Sequence, residues 1–393
     1  MPVAAPHALT GRIVLRPGHA QPLQGNRPVL APQVLGRLVG GRHASLLPGL
    51  LGSLFAVCGH VQRMTAQRAV AAALGHPEGD PERERWSLLL RAATLRDHLL
   101  RLALELPTRL PTAAEMPAGW LAGAPVVAAW GTGDPALAAA LQRMPTWLQQ
   151  QLLGRDPATW LADWQADPQE TSTAWAATQP HPVARWHQAV APRAATLHLP
   201  ARRLDLLDAP APARALRTLA AALAADPGFA LVPTWQGQPA ETGAWSRRLT
   251  AAAWQAAPTV WLRLAARIAE LAALATDPAA LRHGALPLGD GGGLAWSEMA
   301  RGLLVHWVQL DAASGDAQTA RVADCRVLAP TEWNFHPAGA LAQWLRESVP
   351  PAEDALLAAC ALDPCIDCVV DPCVECGIGD AADAATAAEH ARA

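Results

Sequence analysis

Two cysteine pairs near the end of the chain carry the strongest chemical signal. In ALDPCIDCVVDPCVECGIGD, from Ala361 to Asp380, an Asp-Pro-Cys-x-x-Cys unit occurs twice, pairing Cys365 with Cys368 and Cys373 with Cys376. Two thiols three residues apart on one turn can chelate a single metal ion or bridge two. The spacer between the pairs is shorter than in a zinc ribbon, and the run is not that of a ferredoxin, so spacing alone leaves the metal unnamed. Three further cysteines lie upstream. Cys58 falls inside the apolar stretch LLPGLLGSLFAVCGHVQRMTAQRAVAAAL, Cys325 within a strand pattern and Cys360 among alanines. A thiol in such surroundings is by default a small buried hydrophobe, and Cys325 and Cys360 are read that way.

The elements that must position these thiols belong to a chain of 393 residues, long enough for two or three average domains or one large core. Hydrophobic residues make up 51% of it, the net charge is -3, and lysine and tyrosine are absent, so every fixed positive charge is an arginine. No basic stripe or aromatic platform stands out, which argues against nucleic acid as the main partner. The N-terminus lacks a basic region followed by an apolar one, and no uninterrupted apolar run reaches about 18 residues. A cytoplasmic chain without a membrane span is predicted, and in a reducing compartment its cysteines are metal ligands or buried thiols rather than disulfides.

Alternation in Gly11 to Arg16 predicts a strand, with a turn and return over Gly18 to Arg27. Leu46 to Leu74 is read as one helical stretch with Cys58 inside it. Asp80-Pro81-Glu82 opens a long helix that should stop before Pro107. Thr108 to Pro239 reads as short helices broken by prolines, and Thr242 to Ala275 as a long helix bent at Pro258. GLLVHWVQLD and ARVADCRVLAP form a predicted β-hairpin, followed by a helix from Ala338 to Ser348. The 16 tryptophans are read as core residues. The expected fold is α+β, predominantly helical with small peripheral β elements, as one large domain over residues 1–376 and a frayed tail over 377–393.

Several separate stretches resemble one family, the large subunits of the nickel-iron hydrogenases. SLFAVCGHVQRMTAQRAVAAALG is similar to the family's RxCGxC segment; aligning its Arg-Ala-Val sets Cys58 on the second cysteine of that pair and Phe55 on the first. LLLRAATLRDHLLRLALELP resembles the helix with an Asp-His, here Asp97 and His98. GDGGGLAWSEMARGLLVHWV resembles the approach to EAPRG and keeps Glu298 and Arg301. VLAPTEWN resembles VVPTTWN and keeps Pro330, Thr331, Trp333 and Asn334. With DPCxxC, the matches run from about Gly11 to Cys376 and are weakest in the middle third. In that family RxCGxC and DPCxxC meet to hold nickel and iron.

The departures select a subgroup. Phe55 removes a terminal nickel ligand, while Cys58 and Cys368 stand where the two bridging, iron-binding sulfurs belong. Thr10 precedes Gly11 where a proton-transferring glutamate is usual, and Asp371 replaces the histidine of the proteolytic maturation site. This pattern resembles the HupK/HoxV hydrogenase-assembly proteins. The resemblance implies a non-enzymatic scaffold that holds or assembles an Fe(CN)2CO unit, without nickel, for transfer to a hydrogenase large subunit. It further implies a small maturation chaperone and an iron-delivery factor as partners. By the same resemblance Arg301 and Thr331 donate hydrogen bonds to cyanide and Pro330 shapes the wall, with Val57 and Leu303 as apolar lining. The metal ligands expected are Cys58, Cys365 and Cys368, with Cys373 and Cys376 as a second copy that could serve instead or as well. Two thiolates suffice for iron that must later leave, whereas four would trap it. The rival readings are a catalytic large subunit and a zinc or iron-sulfur structural protein using the tail alone.

Overall fold

The computed structural model describes residues 11–26, 30–55, 57–114, 116–117, 119–255, 258–311 and 316–371. In chain order the elements begin with β1 (Arg12–Leu15), β2 (Leu23–Asn26), α1 (Pro32–Val39), α2 (Leu47–Leu54), α3 (Gly59–Ala73) and α4 (Asp80–Leu100). A π turn, Arg101–Glu105, leads into α5 (Leu106–Arg109). Then come α6 (Pro125–Ala128), α7 (Asp134–Leu148), α8 (Pro157–Ala166), α9 (Pro168–Thr178), α10 (Pro182–Ala194), α11 (Pro212–Ala225), α12 (Ala244–Arg248), α13 (Ala251–Gln255) and α14 (Val260–Thr276). The last third holds β3 (His283–Gly289), β4 (Gly292–Met299), β5 (Gly302–Leu310), β6 (Val322–Leu328), α15 (Pro330–Asn334), α16 (Ala340–Ser348), α17 (Ala352–Ala361) and β7 (Asp367–Val370).

Helix α14 is the axis of the helical part. Its residues are buried almost all round, including Trp261, Arg263, Arg267 and Glu270, and it packs against α4, α7, α8, α10, α12 and α17. A helix without a solvated face must pair its charges internally. Glu270 accordingly takes both arms of Arg247, at 2.7 and 2.5 Å, and the His98 ring at 2.9 Å. Burial would lift that carboxyl, but Arg247 and its neighbours hold it well below the usual carboxylate range. Trp160, Trp164, Trp186, Trp245 and Trp333 are likewise fully buried, as the composition predicts.

Two sheets bring the sequence-distant segments together. In the first, β1 lies between β2, antiparallel, and β7, parallel, with Ile13 opposite Cys368. Asp371 continues this pairing: its N–H bonds the Leu15 carbonyl at 2.9 Å and its carboxylate meets Arg16 Nε at 2.9 Å. The second sheet is a four-stranded antiparallel meander, β3-β4-β5-β6, rather than the two-stranded hairpin read from the sequence, because the glycine cluster at 289–293 is itself a turn between two strands. Residues alternate along β5 as expected, yet neither face is solvated. Leu304 and Val308 join the main core, whereas Leu303, Val305 and Trp307 enter a second core with Leu216, Leu219 and Trp333. Helix α3 lies so close over β4 that a Cβ on Gly293 would stand 2.2 Å from the Ala69 carbonyl oxygen.

Three boundaries differ from the sequence reading. Leu46 to Leu74 is broken between Leu54 and Gly59, so Cys58 caps a second helix instead of sitting inside one. The long helix runs past Pro107 to Arg109, because the preceding π turn is wide enough to carry the proline ring past the carbonyl that would block it. The stretch Thr242 to Ala275 is three separate helices, and the last is opened by Thr259, whose hydroxyl accepts from the Leu262 N–H at 3.2 Å.

Candidate metal centre

Cys58 is placed by glycines. A Cβ on Gly59 would lie 2.2 Å from the Gly52 carbonyl oxygen, so only a bare backbone lets the end of α2 touch the start of α3 and turn Cys58 inward. The thiol is 5% exposed. Gln62, one turn on, donates from Nε2 to its sulfur at 3.6 Å, and the Gln62 side-chain oxygen Oε1 lies 2.7 Å from His306 Nε2 on β5. Burial holds His306 down to about 3, so its ring is neutral. With the proton on Nε2, His306 donates to the amide and the amide donates to sulfur, a polarity that favours thiolate.

The tail is placed by α15 and by arginines. Asn334 accepts from the Thr242 N–H at 2.9 Å and donates to the Thr242 and Leu362 carbonyls at 2.8 and 3.1 Å. Thr331 Oγ1 lies 3.1 Å from Cys365 Sγ and accepts from the Cys365 N–H at 3.4 Å. The chain leaves α17 through Asp363, whose φ of 56° is a left-handed conformation that aspartate tolerates better than most residues. That twist directs the carboxylate inward, where Arg101 Nε stands 2.8 Å away, Arg267 Nε 3.5 Å and Arg301 Nε 3.9 Å. Burial opposes ionisation of Asp363, and the three arginines outweigh it, keeping the carboxyl well below its ordinary range.

Arg301, in the turn between β4 and β5, is 2% exposed. None of its Nε, Nη1 and Nη2 atoms finds a hydrogen-bond partner among the described residues; the nearest carboxylates, Glu105 and Asp363, stand at 3.6 and 3.9 Å. Its charge reaches Cys58. Burial and the neighbouring Cys365 push the Cys58 thiol up to about 12, with Arg301 and Gln62 pulling the other way. Cys368 is also pushed up to about 12, by burial and by neighbouring Cys360 and Cys365. Asp97 on α4, buried beside Arg301 and Arg96, rises to about 7 because desolvation exceeds their attraction. Among the described residues no three His, Cys, Asp or Glu side chains gather into a metal cage. Cys58, Cys365, Cys368 and Cys360 form a run of neighbouring thiols, Cys58 next to Cys365 and Cys368 next to Cys365 and Cys360.

No protein-family model matches the sequence. Among curated proteins, the hydrogenase expression/formation protein HoxV of Cupriavidus necator is 38% identical over 378 residues, covering 91% of this chain and 94% of that protein. The chain belongs to the HoxV/HupK family of hydrogenase expression/formation proteins. HupK of Rhizobium leguminosarum bv. viciae is 32% identical over 350 residues, 85% of this chain and 89% of that protein. Among solved structures, the fold is similar to a reduced, active form of the nickel-iron-selenium hydrogenase of Desulfomicrobium baculatum. That match has 13% identity and a TM-score of 0.47, covering 87% of this chain and 93% of that one.

In this HoxV/HupK-family chain the folding brings Cys58, Cys365, Arg301 and Thr331 together, and Pro330 is buried at the start of α15 beside them. Cys365 is an electrostatic neighbour of both Cys58 and Cys368. Cys373 and Cys376 lie outside the described residues. Leu303 faces the second core rather than the centre, because its register on β5 points it away from α3. Val57 stands 39% exposed at the surface beside Cys58. Asp363, Gln62 and His306 went unassigned in the sequence reading, and Cys360 was read as a core thiol. Asp363 was visible as the first letter of DPCxxC; the others carry no spacing signal.

Proposed function

We propose that this chain is a maturation scaffold that holds ferrous iron bearing two cyanides and one carbon monoxide, as cargo, at Cys58 and the first DPCxxC unit. The observation that carries this reading is Arg301: a buried guanidinium beside Cys58 whose N–H donors are all unspent. Buried N–H donors without acceptors are costly unless a ligand completes them. Iron-bound cyanide presents a nitrogen acceptor with negative charge, which suits such a donor, and the Thr331 hydroxyl beside Cys365 offers another. Soft thiolates suit low-spin iron, and bonds from iron to sulfur would offset the cost of removing protons from buried thiols. The names of the relatives, hydrogenase expression/formation proteins, support a role in making a hydrogenase.

On this reading the chain is not an enzyme, works in the cytoplasm, carries no nickel, receives iron from a delivery factor with a small chaperone, and gives it to a nickel-iron hydrogenase large subunit. Among the described residues no helix is long and apolar enough to cross a membrane. Infrared spectra of anaerobically purified protein test the proposal: cyanide and carbonyl stretches with about one iron per chain are expected, and both should fall in Cys58→Ala and Cys365→Ala. Stoichiometric nickel with dihydrogen turnover, or a metal retained unchanged in Cys58→Ala, would refute it.

A further inference from the structure

A cleft of about 320 Å³ opens to solvent directly over Cys58, between the α2–α3 junction and α4. Its lining includes the buried Cys58 and Asp97 together with two cations nearer the surface, Arg63 and Arg96. Arg96 lies with its guanidinium 4.8 Å from the centre of the Trp130 ring, and His60 meets the same ring edge-on at 4.8 Å. The stacking fixes Arg96 at the opening in place of a freely swinging side chain. Arg63 crosses Gly52, where a Cβ would come within 3.0 Å of its Nε, so the missing side chain is what lets this cation lie along the rim. Helix α3 starts here without a side-chain cap, adding the positive end of 15 residues of helix. One carboxylate, Asp97, is set against these cations, 3.6 Å from Arg96. Of the other clefts, one of about 510 Å³ between α4 and α7 is walled mainly by carbon, and one of about 140 Å³ beside Asn334 has no thiol in its lining.

We propose that this cleft is the portal of the centre, and that Arg63 and Arg96 form an anion-binding mouth that takes iron-bound cyanides before any bond to sulfur is made. The inference rests on the preceding functional reading and adds the route and the residues of first contact. A buried thiol needs a path for a metal unit wider than water, and this cleft lies directly over one. Iron-bound cyanides point their negative nitrogens outward, so paired arginines at the opening would raise the local concentration of the unit and orient it.

The probe is hexacyanoferrate(II), which exchanges its ligands too slowly to bond sulfur, titrated calorimetrically into full-length metal-free protein with sulfate at matched ionic strength as the comparison. Saturable binding is expected, weakened at least about tenfold in Arg63→Glu/Arg96→Glu and unchanged in Arg217→Glu, an exposed arginine on α11. Arg63→Glu alone, at an exposed position, should weaken binding about threefold and guards against loss of fold at Arg96. Equal affinity in wild type and the charge-reversed variants, or displacement of the probe by equimolar sulfate, overturns the inference. The two readings fail separately. Infrared bands in wild type without charge-dependent probe binding remove the portal and leave the scaffold, and charge-dependent probe binding without the bands does the reverse.

Discussion

Arg301 differs from the other buried arginines in having its charge compensated and its hydrogen bonds left open. Arg301→Met should therefore cost only about 0.5–3 kcal/mol, since Arg101 still pairs both Glu105 and Asp363, and should abolish iron retention. Arg301→Lys keeps the charge but not the fork, so the chain should melt near the wild-type temperature while the cyanide stretches shift and iron occupancy drops. Thermal melting and infrared spectra on both variants separate support of the fold from support of the ligand. Gln62 is the second test at this scale. Gln62→Leu leaves the His306 N–H buried without its acceptor, a loss of about 1–3 kcal/mol, and removes the donor that favours the Cys58 thiolate. Alkylation of Cys58, followed by mass spectrometry at pH 8, should slow in that variant; an unchanged rate would mean that the amide does not set the thiol. Cys58, Cys365, Arg301 and Thr331 were legible in the sequence because each sits in a motif of fixed spacing. The Gln62–His306 pair was not, since its two halves lie 244 residues apart and neither has a local signature. Asp97 was legible only as half of an Asp-His pair on a helix, since nothing local shows that Arg301 is set against it.

At the scale of elements, the centre depends on glycines where two backbones touch. Gly59→Ala forces a methyl to within 2.2 Å of the Gly52 carbonyl oxygen, and backbone there cannot yield as a side chain tip would. The α2–α3 junction must open, at a cost of about 1–3 kcal/mol, and Cys58 must move away from Cys365. Lower stability by chemical denaturation is expected together with lost iron, whereas Gly49→Ala, with nothing within 4 Å of the added carbon, should change neither. The sequence showed β1, β2, the helix from Asp80 and the helix after Ala338, because alternation, N-terminal proline and 3.6-residue periodicity are local signals. It did not show the parallel pairing of β1 with β7, because the four residues Asp367–Val370 pair only with a partner more than 350 positions away. The break before Cys58 was hidden as well. The sequence there holds no proline, and the close approach of Gly59 to the Gly52 carbonyl oxygen at this junction has no local signature.

For the whole molecule, burial of ionisable groups fixes how the fold responds to acid. His187 is enclosed by Trp175, Trp186 and Trp261, with ring centroids at 5.3, 5.0 and 5.9 Å, and its Nδ1 donates to the Val183 carbonyl at 2.8 Å. Burial holds its pKa down to about 4, and that of His306 to about 3. The unfolded chain binds protons at both rings near pH 6.5, which the native state refuses until lower pH. Their stabilising effect is therefore complete above pH 6.5 and is lost as pH falls toward the native values, with a slope of at most about 1.4 kcal/mol per pH unit for each ring. Asp363 and Glu270 work in a lower window. Their native pKa values lie below the ordinary carboxylate range, so their contribution survives to about pH 4 and disappears beneath it. Urea unfolding of metal-free protein from pH 7.5 to 4.5 should thus show a midpoint that is flat at first and then falls. His187→Phe keeps the aromatic contacts, loses one hydrogen bond and removes one titrating group, so it should begin slightly less stable at pH 7.5 and lose less on acidification. The two curves are expected to converge or cross near pH 5. If they run parallel across the whole range, the acid sensitivity in this window belongs to His306 and the other buried histidines, and the aromatic enclosure of His187 contributes only packing.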